Sequence, residues 1–197
     1  MNLTPIEYSI IQLTSALYDS KCMDSISKEQ LRDALSSGQL ISKKWLLDEL
    51  NKVHITGKGI VVGGWVGLLA CAIEHMTDIS IDSLDIDPQS IRIAHSTLGK
   101  SSGVAILADM YDFDYTNYDF VINTSTEHIP DIQQWLSGIK KGTTVCLQSN
   151  NAFMIDSHIN CVNDIEEFLS KVQLTEILYS GEYVFPMYTR YMIIGVA

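Results

Sequence analysis

A few short segments hold the residue types from which a binding site could be built. Gly63-Gly64-Trp65-Val66-Gly67 is a glycine-rich turn directly after the apolar run Gly59-Ile60-Val61-Val62. Glycines let the backbone come close to a ligand and adopt positive φ where needed. Asp85 stands 18 residues beyond Gly67. A carboxylate at about that distance from such a turn can accept both hydroxyls of a ribose. Turn and acid together point to an adenosine-containing ligand. Asp87 is a rival, but the Asp-Pro pair it forms with Pro88 suits a helix cap. Asp109 either accepts from an adenine amino group or serves a turn. Asn123-Thr124-Ser125-Thr126-Glu127-His128 ends in the two best base candidates, Glu127 and His128. A histidine takes up protons near neutral pH, although His128 could equally stabilise a turn. Gln148, Asn150, Asn151, His158 and Asn160 supply neutral hydrogen-bonding groups. These suit a polar small molecule or peptide segment, or the turns that asparagine favours.

The elements that must position these residues follow from periodicity. Residues 1–54 read as a helical cap, with Ile6, Ile10, Leu13 and Leu17 at helical spacing after Pro5. Ser27-Lys28-Glu29-Gln30 is a capping-box pattern before Leu31 and Leu35, and Gly38 is expected to stop that helix. Ser42 is expected to cap a third helix carrying Trp45, Leu46, Leu50 and Val53. From residue 57 strands alternate with helices. Strands are expected at 59–62, 79–86, 104–107, 118–122, 143–147, 173–179 and 188–196, with helices at 68–76, 89–98, 130–137 and 164–172. This alternation implies an α/β fold with a doubly wound, mostly parallel sheet of seven strands over 55–197. Ligands of such sheets bind outside the carboxyl ends of the strands. The glycine turn, Asp85, Asp109, Asn123 to His128, and Gln148 to Asn151 all fall at expected strand ends.

Composition narrows the partners. The chain has 197 residues, 13 Lys+Arg against 24 Asp+Glu, and a net charge of −11. Without a visible basic groove, this disfavours nucleic acid and anionic membranes. It leaves a small molecule, a cationic ligand or another protein, and leaves homo-oligomerisation open. Cys22, Cys71, Cys146 and Cys161 form no CxxC pair and read as reduced thiols, mostly in the core. His158 and Cys161 make an isolated H-x-x-C, too little for a metal site. Neither a signal peptide nor a membrane-spanning run is read, so a cytoplasmic location is expected.

Over roughly residues 57–197 the chain resembles the class I, Rossmann-like S-adenosylmethionine-dependent methyltransferases. The segments carrying the resemblance are Val61-Val62-Gly63-Gly64-Trp65-Val66-Gly67, Leu84-Asp85-Ile86-Asp87-Pro88, Ala108-Asp109-Met110 and Tyr118 to Glu127. It looks nearest to small methyltransferase-like proteins of phages and bacteria. Those share a Gly-Gly-Trp turn, an Asn-Thr-Ser-x-Glu-His segment and a Leu-Gln-Ser-Asn-Asn segment. The resemblance implies an antiparallel last strand and S-adenosylmethionine as cofactor. It implies that Gly63, Gly64, Trp65 and Gly67 line the methionine and ribose end and that Asp85 holds the ribose. Ile86 would then pack on adenine, Asp109 and Met110 would flank it, and Asn123 would face the methionine part or the acceptor.

Two departures stand out. Trp65 replaces a usual glycine, and Val61 replaces an acid that normally helps hold the methionine amino group. Trp65 either packs across the cofactor, stacking on its sulfonium, or anchors the core. Dinucleotide binding would need glycine at Val62 and is disfavoured. The Asn/Asp-Pro-Pro-aromatic motif of base- and glutamine-modifying relatives is absent, which also argues against nucleic acid. Arg190 either faces a carboxylate or makes a surface ion pair. The expected activity is methyl transfer to a small polar acceptor. Aminocarboxypropyl transfer or cofactor cleavage, and a non-catalytic interaction subunit, are the alternatives.

Overall fold

The computed structural model describes residues 3–18, 26–77, 79–99 and 101–197. Cys22 lies outside the described residues. Seven strands form one sheet: β1 (Gly59–Val62), β2 (Ile81–Asp85), β3 (Ala105–Leu107), β4 (Phe120–Asn123), β5 (Thr144–Asn150), β6 (Glu176–Val184) and β7 (Thr189–Val196). Their order is β3-β2-β1-β4-β5-β7-β6. The first five in that order run parallel, and β7 lies antiparallel to both β5 and β6. The sheet is Rossmann-like and mostly parallel, with the antiparallel last strand that the resemblance implies. The strand order reverses between β1 and β4, which opens a crevice at their carboxyl ends.

Helices cover both faces. On one face α3 (Ser37–Val53) and α4 (Leu68–Met76) press Leu46, Leu47, Leu50, Leu69 and Ile73 against Val61, Ile122 and Cys146 of the sheet. Over them lies α1 (Pro5–Tyr18), whose Leu13 and Leu17 meet Ala34 of α2 (Lys28–Ala34), Leu68, and Ile93 of α5 (Pro88–Leu98). On the other face α6 (Ile132–Ser137) and α7 (Ile165–Lys171) bury Trp135, Leu136 and Phe168 against Val121, Val145 and Ile193. Strands buried on both faces read as continuous apolar runs, which is why β1 and β4 stand out in the sequence. Among the described residues no helix is long and apolar enough to cross a membrane. Cys71, Cys146 and Cys161 are buried free thiols.

Local signals set most helix starts. The Ser27–Gln30 capping box forms with both reciprocal bonds. Asp87 accepts from the Gln89 and Ser90 amides ahead of Pro88. Each such cap contributes about 1 kcal/mol. Two expectations near the N-terminus fail. Gly38 does not stop α2; it lies in the first turn of α3, because Ser36, not Ser42, accepts from the Gln39 amide and starts that helix. Ser42 is instead buried and donates to Gln148 Oε1 at 2.8 Å, tying α3 to β5. Strand β5 also runs three residues beyond the expected end at Leu147, through Asn150.

Asp82, in the buried β2, has its charge fully compensated. Its carboxylate pairs with Lys58 Nζ at 2.7 Å and accepts from the Tyr118 hydroxyl at 2.6 Å and the Val104 amide at 2.9 Å. Replacing one member of such a cluster strands the others. Asp82→Ala should therefore lower the unfolding free energy by about 2–4 kcal/mol, read from denaturant midpoints at unchanged slope.

Candidate functional site

A cavity of about 520 Å³ opens at the carboxyl ends of the central strands, within the range of small-molecule sites. Gly63, Gly64, Trp65, Asp85, Ile86, Asp109, Met110, Asn123 and His128 all line it. Gly67 does not. It caps α4 with φ +76°, and a side chain there would run into Ala94 at 3.0 Å.

The turn after β1 is pinned by one carboxylate. Asp85 Oδ2 accepts from the Trp65 amide at 2.9 Å, and Oδ1 accepts from the Asp87 amide at 2.9 Å. A carboxylate has about four acceptor sites, so both oxygens keep capacity for a ligand hydroxyl. Gly63 has φ +63°, and a side chain placed on it would meet nothing within 4 Å. It leaves room at the cavity wall for a ligand to approach the backbone. Gly64 faces the other way, where a Cβ would strike Ser83 Oγ. Trp65 has φ +50°, which explains why glycine suits that position. Its ring is half-buried, packing beside the Leu13–Leu17 cluster while lining the cavity. Ile86 is 67% exposed and offers an apolar platform at the mouth. Asp109 Oδ1 accepts from the Tyr111 amide in a local turn. Asn123 is buried at the tip of β4, with Oδ1 accepting from the Ser125 amide.

The two base candidates part company. His128 stands exposed at the cavity edge, at the end of a 3₁₀ turn over Thr126–His128. Its Nδ1 lies 2.8 Å from the Ser157 carbonyl. A carbonyl only accepts, so Nδ1 carries the proton and Nε2 holds the lone pair in the neutral ring. Glu127 is 2% exposed and does not line the cavity. Its Oε1 accepts from Asn150 Nδ2 at 2.6 Å and lies 3.6 Å from Arg190 Nη2. Arg190 makes neither a surface ion pair nor a cavity contact. It is 6% exposed, and Nη1 donates to the Thr124 carbonyl at 2.9 Å.

The polar run after Leu147 is scaffold. Gln148 bonds Ser42, and Asn151 exchanges bonds with Thr189 and Tyr191. Asn150 Oδ1 accepts from the Ala152 amide at 2.9 Å and from His158 Nδ1 at 3.1 Å, with Cys161 Sγ at 3.6 Å. The His158–Cys161 pair therefore converges on an amide oxygen. None of Gln148, Asn150, Asn151 and His158 lines the cavity. Burial holds the His158 imidazole below its ordinary pKa. Glu127, His128 and His158 bring three ligand-type atoms within 4.8 Å of one another, but the Arg190 guanidinium already supplies the neutralising charge there.

Lys43 was not singled out from the sequence, because a lysine on an amphipathic helix usually faces solvent. It is 9% exposed, lines the cavity and donates to Gln39 Oε1 at 2.5 Å. Burial, reinforced by the Arg190 charge and opposed by Asp33, pulls its ammonium down to about 7.

No family model and no curated protein matches the chain. Solved structures do. A magnesium protoporphyrin IX methyltransferase from Synechocystis PCC 6803, with bound S-adenosylmethionine, aligns at TM-score 0.64 and 15% identity, over 99% of this chain and 98% of that one. A geranyl diphosphate methyltransferase in complex with GPP and sinefungin aligns at TM-score 0.64 and 10% identity, over 80% of this chain and 77% of that one. An N-methyltransferase from Bradyrhizobium japonicum aligns at TM-score 0.59 and 10% identity, over 79% and 96%. At these identities the likeness shows the fold: that of the class I S-adenosylmethionine-dependent methyltransferases.

Two stability effects follow. Glu127→Ala leaves Arg190 buried and unpaired and should cost about 3–5 kcal/mol in chemical denaturation. Lys43 works the opposite way. Its folded pKa lies below its unfolded one, so the unfolded chain binds more protons between about pH 7 and 10.5. The cost of burying the ammonium is full below pH 7 and fades as pH rises. Lys43→Met should stabilise the fold by up to about 5 kcal/mol at pH 6 and by less than half of that at pH 9, measured as unfolding free energy at the two pH values.

Proposed function

We propose that this chain is an S-adenosylmethionine-dependent methyltransferase acting on a small polar acceptor. The observation that carries the reading is the convergence of Gly63, Asp85, Ile86, Asp109 and Asn123 on one cavity at the strand reversal, with His128 at its edge. These residues fit the cofactor. Asp85 has acceptor capacity for ribose hydroxyls, Gly63 leaves space beside the backbone, and Ile86 and Met110 supply apolar contact for a purine. Bound there, the cofactor supplies an electrophilic sulfonium methyl whose displacement needs no acid. The protein's part is then positioning, with a base where the acceptor loses a proton.

His128 is the base in this reading. The Ser157 carbonyl fixes its tautomer and directs Nε2 to accept the acceptor's proton. Glu127 acts through others: with Asn150 and Arg190 it fixes the turn that presents His128. The half-buried Trp65 ring and the apolar wall exclude water from one side of the cavity. A small polar acceptor agrees with a chain of net charge −11, which disfavours a polyanion.

Titration calorimetry with S-adenosylhomocysteine tests the cofactor. The wild type should bind, and Asp85→Ala should weaken binding by about 10- to 100-fold, the loss expected for a paired hydrogen bond to a charged group. No binding by the wild type would refute the reading. Once an acceptor is found by mass spectrometry of extract incubated with cofactor, His128→Gln should lower kcat by about 10²- to 10⁴-fold with little change in cofactor affinity. S-Adenosylhomocysteine as product marks methyl transfer, whereas methylthioadenosine marks cofactor cleavage.

A further inference from the structure

The cavity carries charge at two separate ends. Asp85, Ile86 and Asp109 belong to the ends of β2 and β3. Lys43 stands on the opposite side. Its neighbour Ser42 is bonded to Gln148 of β5, and its ammonium feels Arg190 of β7. In the sheet order, β1 and β4 lie between these two sides. Among the described residues that line the cavity, Lys43 is the one ammonium or guanidinium.

An ammonium that is nine-tenths buried is costly unless an anion meets it. None of the described residues places a carboxylate within salt-bridge distance of Lys43; its amide partner is Gln39. Asp33, also lining the cavity, is near enough for its charge to act on Lys43 yet makes no ion pair with it. Opposite charges held apart across a cavity wall match a zwitterion. An α-amino acid group places a carboxylate and an ammonium on one carbon. Val61 offers neither charge, being 1% exposed in the core.

We infer that Lys43 and Asp33 form an amino-acid subsite, with Lys43 receiving the α-carboxylate of the cofactor's methionyl end and Asp33 its α-ammonium. This rests on the cofactor reading above. The Ser42–Gln148 bond serves the subsite by locking the adjacent Lys43 against the sheet. Asp33, exposed at the rim, is the weaker contributor, since an exposed ion pair is worth little.

The test compares S-adenosylhomocysteine with 5′-methylthioadenosine, which lacks the amino-acid group, by calorimetry on the intact chain. The wild type should bind S-adenosylhomocysteine more tightly. Lys43→Met should weaken it by about 30-fold or more, the loss typical of removing one partner of a buried charge pair, while 5′-methylthioadenosine changes by less than about twofold. Asp33→Asn, an exposed change that spares the fold, should shift only S-adenosylhomocysteine, by a few-fold. Proton uptake near pH 8, read from heats in buffers of different ionisation enthalpy, should accompany S-adenosylhomocysteine binding by the wild type and vanish with 5′-methylthioadenosine. Arg190 and Asp33 are the charges that act on Lys43, and Asp85, Asp109 and His128 are the other titratable groups lining its cavity. Uptake that persists in Lys43→Met would belong to one of them and not to Lys43. Equal affinity of the wild type for both nucleosides, or equal loss of both in Lys43→Met, would overturn the subsite while leaving the cofactor reading intact. Binding of neither by the wild type would overturn both. Should Lys43→Met fail to fold, Asp33→Asn and the proton uptake decide.

Discussion

The β4–β5 side of the crevice depends on one buried ion pair, Glu127 with Arg190. Taking a carboxylate and a guanidinium out of water is costly, and geometry must repay it. Here two strands supply part of the repayment, since Glu127 Oε2 and Arg190 Nε are buried without a hydrogen-bond partner among the described residues. Asn150 and Arg190 are direct cross-strand partners in the antiparallel β5–β7 ladder, and both reach Glu127, which leaves the neighbouring β4. Arg190 also holds the Thr124 carbonyl, and Thr126 Oγ1 donates to the Gln148 carbonyl. The segment after β4 therefore has little choice of path. Asn160 closes it from outside, its amide donating to the Glu127 carbonyl and its side chain to that of Ile129. The antiparallel strand is thus part of the functional end of the sheet. It delivers the cation that fixes the turn presenting His128.

A second constraint acts on the other side of β1. A tryptophan with φ +50° is an uncommon conformer for a bulky residue. It persists because Asp85 accepts the Trp65 amide and because the ring finds apolar neighbours. The same carboxylate thus holds the turn and faces the cavity. Such strain at a binding site is maintained by its surroundings, here one carboxylate and an apolar cluster.

Much of this was legible from residue type and spacing. The alternation of apolar runs with amphipathic stretches revealed the parallel sheet, since β1 and β4, buried on both faces, are almost wholly apolar. Glycines, Asp85, Asp109 and Asn123 were found because strand ends in such sheets converge. What stayed hidden depended on tertiary partners. Gln148 and Asn150 looked like a loop because nothing local reveals that Ser42 and Glu127 will satisfy them inside a strand. Gly38 looked like a stop because the Ser36 cap two residues earlier had equal claim to the turn. Lys43 looked solvated because helical periodicity cannot show that a cavity wall, not water, covers that face. Glu127 and His128 are adjacent in sequence, yet only the fold sends one into the interior and the other to the rim.

The two outer strands bear on how the molecule behaves in company. β3 has only three residues, and the β6 ladder breaks register between Ile177 and Tyr179. Short or bulged margins of this kind offer a poor template for an incoming strand. Glu176 and Glu182 add negative charge along β6, so two copies approaching edge to edge would also repel. The register break and the two glutamates therefore work against strand addition along a β6 margin that otherwise exposes Ile177, Leu178 and Val184.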